Sequence, residues 1–227
     1  MNKKIYKLIN DLYFEHDLRE EDLVYLLDNM DSEDVDYLLG LAYNTRNNHY
    51  GKAIYLRGLI EFSNYCKREC KYCGINTFNR DVKRYRMTKK EIVDTCKEGY
   101  KLGFRTFVLQ GGEDPYFTDK RICDIVKAVK KLFPDVAITL SLGERPIESY
   151  RAMKFAGADR FLLRHETSNP GLYRWLHPFS SLDSRIGCLY SLKYTGFQTG
   201  AGFMVGLPWY TNKDYAHDLR FLKDLEP

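Results

Sequence analysis

Cys66, Cys70 and Cys73 stand at a C-x₃-C-x₂-C spacing after the apolar run Leu59-Ile60-Glu61-Phe62-Ser63-Asn64-Tyr65. Three thiolates can hold a 4Fe–4S cluster by three corners and leave the fourth iron open to a small molecule, which points to an enzyme. A structural zinc site would need a fourth ligand to close its tetrahedron. No cysteine or histidine follows Cys73 at finger-like spacing, and the next cysteine, Cys96, falls within a predicted helix. A ferredoxin would also bring a fourth thiolate. Tyr72, just before the last cysteine, either packs or covers a bound adenine.

Four later segments carry polar groups in the same relation to an apolar run: Gln110-Gly111-Gly112-Glu113-Asp114, Ser141-Leu142-Gly143-Glu144, Arg164-His165-Glu166-Thr167 and Met204-Val205-Gly206-Leu207-Pro208. Paired glycines let backbone approach a ligand closely, and the carboxylate of Glu113 suits an ammonium group. Glu166 suits a ribose diol, and Arg185 suits bidentate recognition of a carboxylate. Taken singly, the glycine pair with its acid is equally a tight turn with a surface carboxylate, Glu166 and Arg185 read more often as solvated or structural charges, and His165 reads as a structural histidine. Cys96, Cys123 and Cys188 sit among apolar helix residues and read as core. The run Gly200-Ala201-Gly202-Phe203-Met204-Val205-Gly206 imitates a dinucleotide fingerprint. Its third glycine comes one place too late, and it lies in a strand rather than opening a helix.

The elements that must position these groups follow from periodicity. Residues 1–50 read as an N-terminal helical segment, with stripes at Ile5, Leu8, Ile9, Leu12 and at Leu23, Tyr25, Leu26, Leu27, and a third helix opened by Asp31-Ser32-Glu33-Asp34. After Gly51 strands and helices alternate. Strands are predicted at roughly 53–61, 104–109, 136–142, 160–163 and 198–205. Helices are predicted at 88–102, opened by the capping box Thr88-Lys89-Lys90-Glu91, then at 118–133, 147–156, 181–195 and from about Thr211 onward. Repeated βα units specify a parallel α/β sheet, and in a (βα) barrel the chemistry sits beyond the carboxyl ends of the strands. All five polar segments meet that rule.

Composition adds bounds. The chain has 227 residues, 44% hydrophobic and 29% charged, and its +4 charge (35 basic against 31 acidic) is interspersed, which argues against a nucleic-acid footprint. No apolar run is long enough to span a bilayer, and Met1-Asn2-Lys3-Lys4 does not open a signal peptide, so a cytoplasmic setting is expected, and the oxygen sensitivity of an exposed cluster makes it an anaerobic one. Six cysteines in a reducing interior favour metal binding over disulfides.

The cysteine motif with its aromatic, followed by Gly-Gly-Glu after the second strand, resembles the radical S-adenosylmethionine (SAM) enzymes. Five segments together resemble the HydE family of FeFe-hydrogenase maturases, relatives of biotin synthase: 57–66, 109–115, 140–144, 162–167 and 200–202. The likeness runs from about residue 50 onward. It implies a triosephosphate-isomerase-type barrel domain over 51–227, here with five βα units of eight, and therefore incomplete at the C-terminus and without any accessory cluster.

The same resemblance assigns roles. Cys66, Cys70 and Cys73 would ligate the cluster. SAM would lie against Tyr72, Gly111, Gly112, Glu113, Ser141, Glu166, Arg185 and Met204, while Arg164 and His165 would face the substrate's anionic ligands. Reductive cleavage of SAM to a 5′-deoxyadenosyl radical would act on an organometallic iron substrate on the way to the hydrogenase H-cluster. A reduced electron donor and other hydrogenase maturation proteins are the implied partners; nucleic acid and membrane are not. Biotin-synthase-like and methylornithine-synthase-like chemistry, or a non-catalytic iron–sulfur carrier, are the alternatives.

Overall fold

The computed structural model describes residues 2–227. Three helices come first: α1 (Lys3–Glu15), α2 (Glu20–Asn29) and α3 (Ser32–Tyr50). Then follow β1 (Gly58–Ser63), α4 (Lys89–Lys101), β2 (Thr106–Gly111), α5 (Asp119–Leu132), β3 (Ala137–Ser141), α6 (Ile147–Phe155) and β4 (Arg160–Leu162). The chain continues through α7 (Pro170–Leu176), α8 (Leu182–Tyr194), β5 (Gln198–Gly200) and α9 (Asn212–Leu225).

Local chemistry sets several of these boundaries. The predicted capping box closes in both directions: the Thr88 amide donates to Glu91 Oε2 at 2.6 Å, and the Glu91 amide donates to Thr88 Oγ1 at 3.2 Å. Such a cap contributes about 1 kcal/mol. The same reciprocal pair, Asp31 with Asp34, opens α3. That helix runs on through Asn47 and Asn48 to Tyr50, past the point where its apolar stripe fades, and stops at Gly51 with φ +60°. The first strand begins five residues later than its alternation suggests, and Ile54, Tyr55 and Leu56 are exposed. Helix α7 lies in a stretch assigned no element from sequence. Its start is plain in retrospect: Asn169 Oδ1 accepts from the Gly171 and Leu172 amides, and Pro170 takes the first helical position.

The sheet order is β1-β2-β3-β4-β5, every neighbouring pair parallel. Each strand lies beside its predecessor, with no reversal of order, which is the winding of a (βα) barrel rather than of a doubly wound sheet. Register gives each face its character. Ile60, Leu109, Leu140, Phe161 and Thr199 are aligned across the five strands, and all are buried. One residue further along lies the row Glu61, Gln110 and Ser141, with Leu162 opposite Gly200, on the other face. Period-two alternation thus puts an apolar row on one face and a polar row on the other.

The chain divides into two compact units. One runs through Tyr55 and takes in Met204–Glu226; the other is Leu56–Phe203. The first has its own core of Ile5, Leu8, Ile9, Leu18 and Leu26. A boundary at residue 50 would have left the last helix with the strands. Instead α9 packs on α2, with Asn212 Nδ2 donating to Asp28 Oδ1 at 2.7 Å and His217 Nδ1 3.2 Å from Glu20 Oε2. Lys223 and Arg220 add bonds to the α1–α2 turn, at His16 O and Asp17. Among the described residues, no helix is long and apolar enough to cross a membrane.

Candidate functional site

Within Leu56–Phe203 the polar row of the sheet opens into a cavity of about 260 Å³. Cys66, Cys70, Cys73, Gly111, Gly112, Glu113, Ser141, Arg164, Glu166 and Arg185 all line it. They come from the carboxyl-terminal ends of four parallel strands and from α8, the end of such a sheet where ligand sites form.

The cysteine loop is fixed from three directions. At its start the Ser63 hydroxyl donates to Asp114 Oδ2 at 2.7 Å and accepts from the Tyr65 amide at 3.2 Å. Arg86 grips the same carboxylate with Nε and Nη2, at 2.6 and 2.9 Å. Burial alone would raise the Asp114 pKa, but the bonds from Arg86 and Ser63 prevail and hold it below the usual range. Across the loop, the Arg84 guanidinium donates to the carbonyls of Asn64, Ile75, Asn76 and Asn79. Beneath the loop, Gly112 has no room for a side chain: a Cβ there would stand 2.3 Å from Tyr65 O and 2.6 Å from Cys66 Cβ. Gly112 therefore admits the cysteine loop itself to the strand ends.

Burial pushes the Cys66 thiol up, and it pushes Cys70 up to about 11, with Cys66 and Cys73 adding to the effect. The two thiols are therefore protonated near neutral pH until a cation displaces the proton. All six cysteines are free. Among the described residues, no three His, Cys, Asp or Glu side chains converge on one point as the ligands of a single ion would. A cubane holds its thiolates further apart than one ion does. The donor set and the cavity beside it fit the three-cysteine cluster. Cys96 is buried as expected, whereas Cys123 and Cys188 are only half-buried, because their helix faces reach the edge of the core.

Glu113 is held by a neighbour that sequence reasoning missed. Arg68 Nε donates to Glu113 Oε2 at 2.7 Å, while Glu113 Oε1 accepts from the Glu144 amide at 3.1 Å. Gly143, at φ +73°, makes room for this carboxylate, since a Cβ there would fall 2.3 Å from Glu113 Cγ. Glu144 is the second acid of the network. It accepts from Arg185 Nε at 2.8 Å and from Arg68 Nη2 at 3.4 Å, and these arginines, with Ser184, hold it below the ordinary carboxylate range against the effect of burial. Arg185 is buried, and its Nη1 donates to the Arg164 carbonyl at 3.0 Å. Burial alone would lower its pKa, but Tyr173 and Glu144 raise it, so the cation persists. The pattern that could have revealed Glu144 is its place at a strand end; Arg68 had only its position between two cysteines.

Glu166 sits at φ +68°, a left-handed conformation costly for a non-glycine residue, and its amide bonds Gly202 O at 3.1 Å. Burial raises its pKa, against the pull of Arg185 and Arg164. Two assigned residues differ from their expected places. His165 is fully buried, its ring 6.0 Å from that of Phe203, and it does not line the cavity. In the loop beyond β4, Leu163, Arg164 and Glu166 line the space and His165 does not. Met204 falls in the other compact unit. Tyr72 lies beside the cavity rather than in its wall, with its hydroxyl 2.9 Å from His177 Nε2. Neither His177 nor Tyr173 had been singled out from sequence.

The site defines a class, and comparison with known proteins agrees. The Radical SAM superfamily model matches residues 60–222. The chain belongs to the radical SAM superfamily, a family of enzymes. It is 51% identical to the FeFe-hydrogenase maturase subunit HydE of Thermotoga maritima over 187 residues, covering 82% of this chain and 53% of that protein. It is 31% identical to 3-methylornithine synthase of Methanosarcina barkeri over 194 residues, covering 85% of this chain and 55% of that protein. The crystal structure of methylornithine synthase (PylB) superimposes with a TM-score of 0.87 at 29% identity, over 97% of this chain and 65% of that one. The chain thus spans about half the length of the curated relatives it matches.

Proposed function

We propose that this chain is the cluster- and SAM-binding part of a maturase that contributes to assembly of the FeFe-hydrogenase H-cluster. One observation carries the reading: three thiols, a glycine pair, the carboxylates of Glu113 and Glu166 and a buried arginine line one cavity at the carboxyl ends of a parallel sheet. The HydE-like identity supports the hydrogenase assignment over the sibling chemistries.

In this reading Cys66, Cys70 and Cys73 would hold a 4Fe–4S cluster, which when bound would supply the one electron for cleavage of SAM to methionine and a 5′-deoxyadenosyl radical. The chain's residues bind and orient the sulfonium. Gly111 and Gly112 leave backbone free for its methionyl end. Glu113 attracts its amino group, in competition with Arg68. Arg185, fixed by Glu144 and Tyr173, faces its carboxylate, and Glu166 accepts from its ribose. Ser141 borders the cofactor, and Arg164 presents a cation to an anionic substrate. An organometallic iron substrate, a reduced electron donor and other maturation proteins complete the proposal.

The test is product analysis. The reconstituted, dithionite-reduced chain, extended to the full length of its relatives, should release 5′-deoxyadenosine and methionine from SAM. A Cys70→Ala variant that still does so would refute the assignment. Release of 3-methylornithine would instead favour the second reading, which the 31% identity to that synthase supports.

A further inference from the structure

His177 is buried at the end of α7 and held on three sides. Its ring stacks on Tyr173 with centroids 4.2 Å apart, and the Tyr72 ring meets it edge-on at 5.4 Å. Nδ1 lies 3.2 Å from the Tyr173 carbonyl oxygen, and Nε2 lies 2.9 Å from the Tyr72 hydroxyl. A carbonyl oxygen can only accept, so Nδ1 carries the ring proton and Nε2 presents a lone pair. The opposite tautomer would set two acceptors against each other at Tyr173.

That arrangement decides the direction of the next bond. A phenol has one proton, and Nε2 is the acceptor waiting for it. The Glu166 carboxylate is a second acceptor within hydrogen-bonding reach of the same hydroxyl, so it competes with His177 for that one proton. Were Tyr72 free to turn, its hydroxyl would donate to Glu166 and fill an acceptor site there. With the proton drawn to His177, both carboxylate oxygens stay available to a vicinal diol.

We propose that His177 is a positioning residue for the nucleoside site: by fixing the Tyr72 hydroxyl as a donor to Nε2, it keeps Glu166 open to the two hydroxyls of a ribose. The inference rests on the SAM-binding reading above. It assigns His177 no contact with the ligand; the effect passes through Tyr72 to Glu166.

Two measurements test it. In the full chain labelled with ¹⁵N-histidine, the His177 ring should show the Nδ1–H tautomer by NMR; an Nε2–H tautomer would overturn the inference without reference to any ligand. Calorimetry with SAM on the cluster-loaded chain should show affinity falling roughly tenfold or more in His177→Phe, the loss of about one hydrogen bond to a charged group. The double variant His177→Phe/Tyr72→Phe should then bind at least fivefold more tightly than the single one, because the competing hydroxyl is gone. A general structural role for His177 would leave the double variant as weak as the single one or weaker, and that result would overturn the inference. Failure of the unaltered chain to bind SAM is a different outcome: it would refute the site reading, and the inference with it.

Discussion

Arg68 Nε donates to Glu113 Oε2 at 2.7 Å, so the loop that carries the cysteines is tied by an ion pair to the loop after β2. Glu113 is buried and Arg68 is about a quarter exposed, so the pair sits at the cavity wall rather than on the surface. An ammonium group entering beside Glu113 meets a carboxylate already oriented by Arg68 and by the Glu144 amide.

Glu113→Gln should leave the cysteine loop with its iron but weaken SAM binding by roughly tenfold or more, since a charged acceptor becomes neutral. Iron content and calorimetry with SAM separate the two effects. Unaltered affinity would remove Glu113 from the binding set.

Gly112→Ala should act on the loop itself. The added methyl would collide with the Tyr65 carbonyl and with Cys66 Cβ, both backbone-anchored, so the loop must move away from the strand end. Iron retained after anaerobic reconstitution should fall by at least half, with far-ultraviolet circular dichroism little changed. Full iron loading would show that the loop tolerates the displacement.

Arg84→Ala removes the donors of four main-chain carbonyls on both sides of the cysteines. A cost on the order of 2 kcal/mol is expected, because several acceptors lose partners at once while water replaces some of them. Limited proteolysis should cut first between residues 64 and 84. Cleavage as slow as in the unaltered chain would mean that other bonds hold the loop.

Much of this was legible in sequence because it depends on local spacing. Three cysteines within eight residues, a capping box, and a strand–helix period that puts polar groups after each strand all leave signatures over short distances. What stayed hidden depends on distant partners. Arg68 gains its meaning from Glu113 and Glu144, and His177 gains its meaning from Tyr72, residues separated by 45, 76 and 105 positions. Strand edges also shifted. Ile54, Tyr55 and Leu56 alternate like strand residues, yet pairing begins only at Gly58 opposite Phe107. His165 is buried outside the cavity lining while its neighbours Arg164 and Glu166 both line it, and adjacent letters do not reveal which side chain a loop turns inward.

Acid should destabilise the fold in a defined window. Burial lowers the His177 pKa to about 4 from an ordinary 6.5. Between those values the unfolded chain binds the proton and the folded chain does not, so stability is complete above pH 6.5 and falls as pH drops toward 4. The effect is on the order of 3 kcal/mol at most. Asp114 and Glu144, both held low, add losses of the same sign at more acid pH. Urea melts at pH 7 and pH 5 should differ, and the difference should shrink in His177→Phe. An equal difference in both proteins would assign the acid sensitivity elsewhere.

The central claim is that Cys66, Cys70 and Cys73 hold a cluster with an iron open to SAM. Electron paramagnetic resonance of the reconstituted, reduced chain, recorded with and without SAM, tests it most directly. The expected result is a 4Fe–4S signal whose g-values shift when SAM is added, and which is lost in Cys70→Ala. A reduced-cluster spectrum identical with and without SAM would contradict it and favour an electron carrier.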